Sequence, residues 1–108
     1  MGEMRAGAIL VASGVHKFDF GNEGGPPGGG RTDDVSYDIE GKFLRPPEVT
    51  LGIVGLDVLG DGTRIYVQAL SITETGFSID LSFDAAGATD QAVLNYAFVQ
   101  WLAIGEAA

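Results

Sequence analysis

The chain has 108 residues, the size of one domain with a single hydrophobic core, and its 45% hydrophobic and 19% charged residues are typical of a globular protein. The formal net charge of −9 and only six scattered basic residues exclude a basic surface for nucleic acid and predict repulsion from anionic membranes. The absence of cysteine excludes a disulfide framework and a thiolate metal site, and no apolar run is long enough to predict membrane insertion.

The first predicted strand covers Ala8 to Phe20. Its alternation places His16, Phe18 and Phe20 on one face, and we interpret the short apolar run at 6–14 as part of this fold and not as a signal peptide. His16 is the only histidine. Without a second histidine or any cysteine to support a metal site or a base, it is better interpreted as a half-buried strand residue.

The segment Gly21 to Gly30 contains six glycines and two prolines and has no strand periodicity. It is either a flexible connection or a loop whose missing side chains let a ligand or a neighbouring protomer approach the backbone. A second strand is predicted from Val35 to Phe43, and Pro46-Pro47 then impose an extended bend.

The stretch from Arg45 to Phe83 is the best-defined part of the sequence and predicts three strands joined by two tight turns. Glycines at 60 and 62 and the segment Thr73-Glu74-Thr75-Gly76 supply the turns. In the third of these strands, every second residue is apolar: Phe77, Ile79, Leu81 and Phe83. Such a sheet cannot bury one face alone, so we expect a second layer from the flanking sequence.

The last segment, Gln91 to Ile104, is compatible with a helix capped by Thr89 or Asp90. As a helix, however, it would be apolar on nearly all sides. As a strand it would have two apolar faces, which is typical of a central strand with one side in the core and the other against another protomer. We therefore predict a strand.

Several short motifs resemble the H-type lectin domain in their order and spacing. They are Leu44-Arg45-Pro46-Pro47, Leu56-Asp57-Val58, Arg64 after a polar turn, Thr75-Gly76-Phe77 and Val99-Gln100-Trp101-Leu102-Ala103. The resemblance spans roughly the whole chain and implies one domain at 1–108, an all-β fold with a six-stranded antiparallel β-sandwich. It also implies a homotrimer or hexamer that binds sugars between protomers.

The same resemblance implies the sugar-binding residues. Gly30, Arg31 and Asp33 are the nearest matches to a Gly-Arg-Asp run of the family, with Thr32 interposed, and Arg64 matches a cleft arginine. A carboxylate accepts hydrogen bonds from sugar hydroxyls, whereas a guanidinium donates to them or to an N-acetyl carbonyl. Alternatively, Arg64 extends into solvent at the strand end or pairs with an aspartate at position 57 or 61.

The sequence also departs from the family. Many H-type lectins carry a tryptophan that stacks on the sugar after the strand that ends here at Phe83, but residues 84–90 contain none. Phe83 belongs to the apolar row of the core. Tyr96 is shifted by one position from a tyrosine of the family, and in a strand this shift turns the Tyr96 side chain to the other face. This departure leaves the identity of the sugar open.

The sequence contains no catalytic constellation, because the single histidine has no evident partner and the acidic residues lie in loops. Asp34, Asp38 and Glu40 have no recognisable calcium-loop spacing, so we expect no metal and no cofactor. We predict a non-enzymatic carbohydrate-binding module. The resemblance implies galactose-type sugars or N-acetylgalactosamine as its ligands and a place outside the cell or on a surface. The alternative is an oligomerising or receptor-binding module of a phage-like tail or fibre without sugar binding.

Overall fold

The computed structural model describes residues 8–20, 29–59, 63–85 and 93–108. Six β-strands account for the regular secondary structure of these residues: β1 (Ile9–Asp19), β2 (Gly29–Ser36), β3 (Glu48–Leu59), β4 (Thr63–Leu70), β5 (Gly76–Ala85) and β6 (Val93–Glu106). No helix in these ranges is long and apolar enough to span a membrane. The predicted all-β fold is confirmed.

The six strands form two antiparallel sheets of three strands each. Sheet A has the order β1–β6–β3, and sheet B has the order β2–β5–β4. The predicted six-stranded antiparallel β-sandwich is therefore confirmed, with β6 and β5 as the two central strands. Residues 21–28 of the predicted loop and the turn residues 60–62 lie outside the described part of the chain. The last two residues of that loop, Gly29 and Gly30, are the start of β2, so the prediction of a loop is wrong there.

The core lies between the two sheets and follows from the alternation in β5. Phe77, Ile79, Leu81 and Phe83 are all buried, as the sequence predicts. Full burial of one such side chain contributes about 1.5–3 kcal/mol, so this row supplies much of the energy that holds sheet B against sheet A. Their neighbours in β4, at positions 65, 67 and 69, pack against the same core.

β6 is a strand and not a helix, as predicted. Its inner row at 97, 99, 101 and 103 is buried. The Trp101 ring packs edge-on against Phe77, with 5.5 Å between centroids. Gly14 of β1 lies directly under this indole, because a Cβ at Gly14 would come within 2.9 Å of the ring. The glycine therefore makes room for the tryptophan in the core.

The prediction of a second strand from Val35 to Phe43 is wrong. The strand lies earlier, at Gly29–Ser36, and Phe43 makes only an isolated bridge to Ala107. Asp38 adopts a φ of 49°, in the left-handed region that ends an extended segment. The register with β5 selects the earlier residues, since it pairs Arg31 with Leu81 and Asp33 with Ile79. The candidate residues Arg31 and Asp33 consequently lie within a strand.

The outer face of sheet A is rich in exposed apolar side chains. We call these residues the apolar face: Ile9, Val11, Val15, Leu102 and Ile104. Val11 and Ile104 are register partners in neighbouring strands, so their side chains lie side by side. The two-sided apolar character predicted for β6 is confirmed by this arrangement.

Candidate functional site

The outer face of sheet B is polar, in contrast to that of sheet A. Residues that pair across an antiparallel sheet share a face, so the buried β5 row fixes the opposite side as the outer one. One outer row contains Gly30, Ser82 and Tyr66, and the next contains Thr32, Asp80 and Gln68. We call these residues, together with Arg64 at the start of β4, the polar face.

Arg31 and Asp33 lie on the inner side of β2 and form one cluster with His16 of β1. Arg31 donates two hydrogen bonds to the Asp33 carboxylate, from Nε to Oδ1 at 3.0 Å and from Nη2 to Oδ2 at 2.9 Å. His16 Nε2 lies 2.7 Å from Asp33 Oδ2. Because His16 belongs to sheet A and Asp33 to sheet B, the cluster joins the two sheets along the edge formed by β1 and β2.

The electrostatics of the cluster favour the charged forms of Arg31 and Asp33. The hydrogen bonds from Arg31 lower the pKa of the Asp33 carboxyl, against the opposing effect of burial, and His16 acts in the same direction as Arg31. The hydrogen bond to Asp33 raises the pKa of Arg31. Asp33 is therefore a carboxylate whose oxygens are already engaged within the protein.

The Arg31 side chain is further fixed by β1. Its Nη1 donates to the backbone oxygen of Asp19 at 2.9 Å. Its guanidinium carbon lies 5.5 Å from the ring centroid of Phe18 and 5.2 Å from that of Phe20, within the range of cation–π attraction. These contacts hold the start of β2 against β1.

Arg64 is exposed on the polar face, and its backbone is paired with that of Asp84. Within the described residues, its guanidinium has no hydrogen bond or ion pair. Of the two alternative partners, Asp57 accepts instead a hydrogen bond from Asn95 Nδ2 at 3.3 Å, and Asp61 lies outside the described part of the chain. Arg64 is therefore exposed, and its donors are unused by the described residues.

The structure thus divides the four predicted sugar-binding residues into two groups. Arg31 and Asp33 are bonded to each other on the inner side of sheet B, whereas Gly30 and Arg64 lie on its outer side. The strands that carry Gly30 and Arg64 are separated by β5, which corresponds to about 10 Å between the strand axes. Gly30 leaves no room for a side chain, since a Cβ there would lie 2.8 Å from the Leu81 oxygen.

A depression of about 560 Å³ lies at the far end of sheet B from Arg64 and is lined by residues of β2, the β4–β5 turn and the start of β5. Its polar groups bond largely to one another. Ser78 Oγ donates to Asp34 at 2.7 Å, and Thr73 Oγ1 accepts from the backbone nitrogens of Thr75 and Gly76, both at 3.2 Å. The depression is therefore built around a stable turn and offers few free donors.

No group of three or more potential metal ligands occurs within the described ranges. Sequence reasoning missed two residues that the structure makes prominent. His16 was predicted as a half-buried strand residue, which it is, but its contact with Asp33 across the two sheets was not predicted. Tyr66 was not singled out from the sequence. The alternation of β4 was the signal that could have identified it as exposed.

Comparisons with known proteins agree with this architecture. The family model of the H-type lectin domain matches residues 33–104, and no curated protein matches the sequence. One structure of recombinant discoidin II of Dictyostelium discoideum superposes with a TM-score of 0.66 at 19% identity over 98% of this chain. A wild-type discoidin II structure from the same organism gives a TM-score of 0.67 at 18% identity over 96%. This chain covers 40% of each discoidin II chain. Because the family model covers well over half of the sequence, the chain belongs to the H-type lectin domain family.

Proposed function

We propose that this domain is a carbohydrate-binding module that recognises galactose-type sugars or N-acetylgalactosamine on the polar face and acts without catalysis. The observation that carries the proposal is the exposed Arg64 on the polar face of a lectin-family domain, with no hydrogen bond or ion pair to any described residue. A guanidinium has five donors and no acceptor, so it suits a neutral ligand rich in hydroxyl or N-acetyl oxygens. The strongly negative net charge favours neutral over acidic sugars.

The roles of the four residues differ in this proposal. Arg64 contacts the sugar directly, and Gly30 leaves the surface of β2 open for the ligand. Arg31 and Asp33 act as positioning residues, because their polar groups already bond to each other, to His16 and to β1. They hold β2 in place at the edge of the sandwich and so set the positions of Gly30 and Thr32 on the polar face.

The proposal includes a homotrimer, or a hexamer of two trimers, in which the apolar face is covered by sister protomers. The polar face belongs to the other sheet, so this proposal places each sugar on a single protomer, whereas the resemblance to the family implied sites between protomers. A single shallow site would bind in the range of about millimolar to tens of micromolar. Several sites on one particle would raise the overall affinity by avidity. Such a particle would serve recognition outside the cell or on its surface.

A glycan array with the wild-type protein and two arginine variants tests this proposal. We expect defined galactose-type glycans to bind the wild type, and Arg64→Ala to lose most of that binding. Arg45→Ala is the matched control, since it removes one exposed charge outside the strands and should bind as the wild type does. No glycan bound by the wild type would refute the lectin proposal, whereas equal binding by Arg64→Ala would refute only the role of Arg64.

A second candidate is an oligomerising module of a tail or fibre, without sugar binding. The apolar face favours it, because five exposed apolar side chains on one sheet indicate a contact with another protein surface. An oligomer that assembles normally but binds no glycan would support this candidate over the first.

A further inference from the structure

Tyr66 differs from every other aromatic residue of the chain. The six phenylalanines, the tryptophan and the other two tyrosines all lie within the described residues and are buried or half-buried. Tyr66 is 61% exposed. Its hydroxyl makes no hydrogen bond to any residue in the described ranges, whereas the buried Tyr37 hydroxyl donates to the Thr73 oxygen at 2.8 Å. The Tyr66 side chain is therefore mostly open to solvent, and its hydroxyl is unused by the described residues.

The surroundings of Tyr66 leave this ring accessible. Its row across sheet B continues with Ser82 and then Gly30, which are the smallest residues of the polar face. A side chain at Gly30 is excluded by the Leu81 oxygen, so the space beside Ser82 stays open. The surface of the sheet is therefore raised at Tyr66 and low at Ser82 and Gly30, where small side chains or backbone alone are exposed.

Hydrogen-bonding groups lie on either side of the ring along β4. Arg64 and Gln68 are two residues before and two residues after Tyr66, so they share its face at about 7 Å along the strand. Both side chains are exposed and have no hydrogen bond within the described ranges. A flat ring between a guanidinium and a carboxamide matches a ligand with an apolar surface and polar groups around its rim.

The other aromatic rings of the chain are not accessible to a ligand on the polar face. Trp101, the only tryptophan, is buried among core rings, with its centroid 5.5 Å from Phe77 and 6.1 Å from Tyr37. Phe83 is 2% exposed and belongs to the same core. Among the aromatic residues, then, only Tyr66 combines an open ring with hydrogen-bonding neighbours on the polar face.

We infer that Tyr66 is the stacking platform of the sugar site, so that a pyranose lies on its ring with hydroxyls directed to Arg64 and Gln68. This inference rests on the proposed carbohydrate binding. The hydrogens on the less polar side of a pyranose carry partial positive charge and face the negative surface of an aromatic ring. Ring contact supplies apolar burial, and the flanking side chains select the orientation of the hydroxyl groups.

Nuclear magnetic resonance of protein labelled with ¹³C-tyrosine tests this inference, because the chain has only three tyrosines. Tyr66→Phe and Tyr96→Phe assign the signals. Galactose, N-acetylgalactosamine and glucose are then titrated as free monosaccharides. We expect the Tyr66 ring signals to shift with a bound sugar while those of the buried Tyr37 stay in place.

Two ring variants measure the contribution of the platform. Tyr66→Phe keeps the ring and should bind within about twofold of the wild type, while Tyr66→Ala should weaken binding about tenfold. Val15→Ala, on the apolar face of the other sheet, is the control for an exposed strand substitution and should leave monosaccharide binding unchanged. Thermal melting of each variant checks that the fold is intact.

The outcomes separate this inference from the function on which it rests. A sugar that binds the wild type while the Tyr66 signals stay fixed would overturn the platform and leave the lectin function standing. Wild-type affinity in a folded Tyr66→Ala variant would do the same. A wild type that binds no sugar in either the array or the titration would overturn both.

Discussion

The two outer faces of the sandwich have opposite chemistry although both belong to three-stranded antiparallel sheets. Sheet A exposes valine, leucine and isoleucine on β1 and β6. Sheet B exposes serine, threonine, aspartate and glutamine around Tyr66 and Arg64. An antiparallel sheet normally has one face in the core and one in water, so the polar face is complete as it stands, whereas the apolar face indicates a partner.

This contrast assigns different tasks to the two sheets. Sheet B can present a hydrated surface to a small polar ligand without loss of stability. When another surface covers the exposed apolar side chains of sheet A, the free energy falls by about 25 cal/mol per Å² of apolar area removed from water. A protein that binds weakly at each site and assembles through another face gains affinity from the assembly.

The largest expected effect comes from comparing the two sides of β5. Leu81→Ala should lower the free energy of unfolding by about 2–5 kcal/mol, because it opens a cavity in the core. Ser82→Ala, one residue further along on the polar face, should change it by about 0.5 kcal/mol or less. Urea denaturation of both variants checks this, and similar losses would contradict the assignment of the two faces.

A charge on the apolar face should break the assembly. Leu102→Glu places a carboxylate where we propose that sister protomers meet, so light scattering should show a trimer for the wild type and a monomer for the variant. Binding to a multivalent glycan surface should fall by about a hundredfold, while binding to a monosaccharide stays unchanged.

Gln68→Glu adds the same charge on the polar face and should leave the trimer intact. A wild type that is monomeric at micromolar concentration, or a Leu102→Glu variant that still forms trimers, would contradict the proposed assembly.

The smallest effect concerns the cluster that joins the two sheets. The pKa of Asp33 is lower in the folded protein than in the unfolded chain, so its contribution to stability is present above about pH 4 and is lost as the pH falls through the folded value. Asp33→Asn should cost about 1 kcal/mol at neutral pH, a value reduced by partial exposure. The variant should also lose less stability on acidification than the wild type.

Asp34→Asn is the control for this pair of measurements. Asp34 is exposed on the outer side of the same strand, where it accepts a hydrogen bond from Ser78. Chemical denaturation at neutral and acidic pH compares the variants. Equal acid sensitivity of Asp33→Asn and the wild type would show that the cluster does not stabilise the sandwich.

The sequence predicted the regular parts of the fold because period-two alternation directly encodes a half-buried strand. The β5 row from Phe77 to Phe83 and the strand character of β6 were both predicted correctly, the latter because two apolar faces fit a central strand better than a surface helix. β2 was misplaced because its residues 29–34 contain glycine, threonine and charge and have no apolar period. Only their pairing with β5 makes them a strand.

Both the sequence and the tertiary structure were needed to define the candidate site. Local sequence and the resemblance to H-type lectins were enough to identify Gly30, Arg31, Asp33 and Arg64 as candidates. The position of a side chain above or below a sheet, however, depends on register, and a shift of one residue reverses it. Tertiary structure alone decided that Arg31 and Asp33 contact His16 between the sheets and that Arg64 lies on the other side of sheet B. Those relations join residues far apart in the chain, and only the packing of two sheets brings them together.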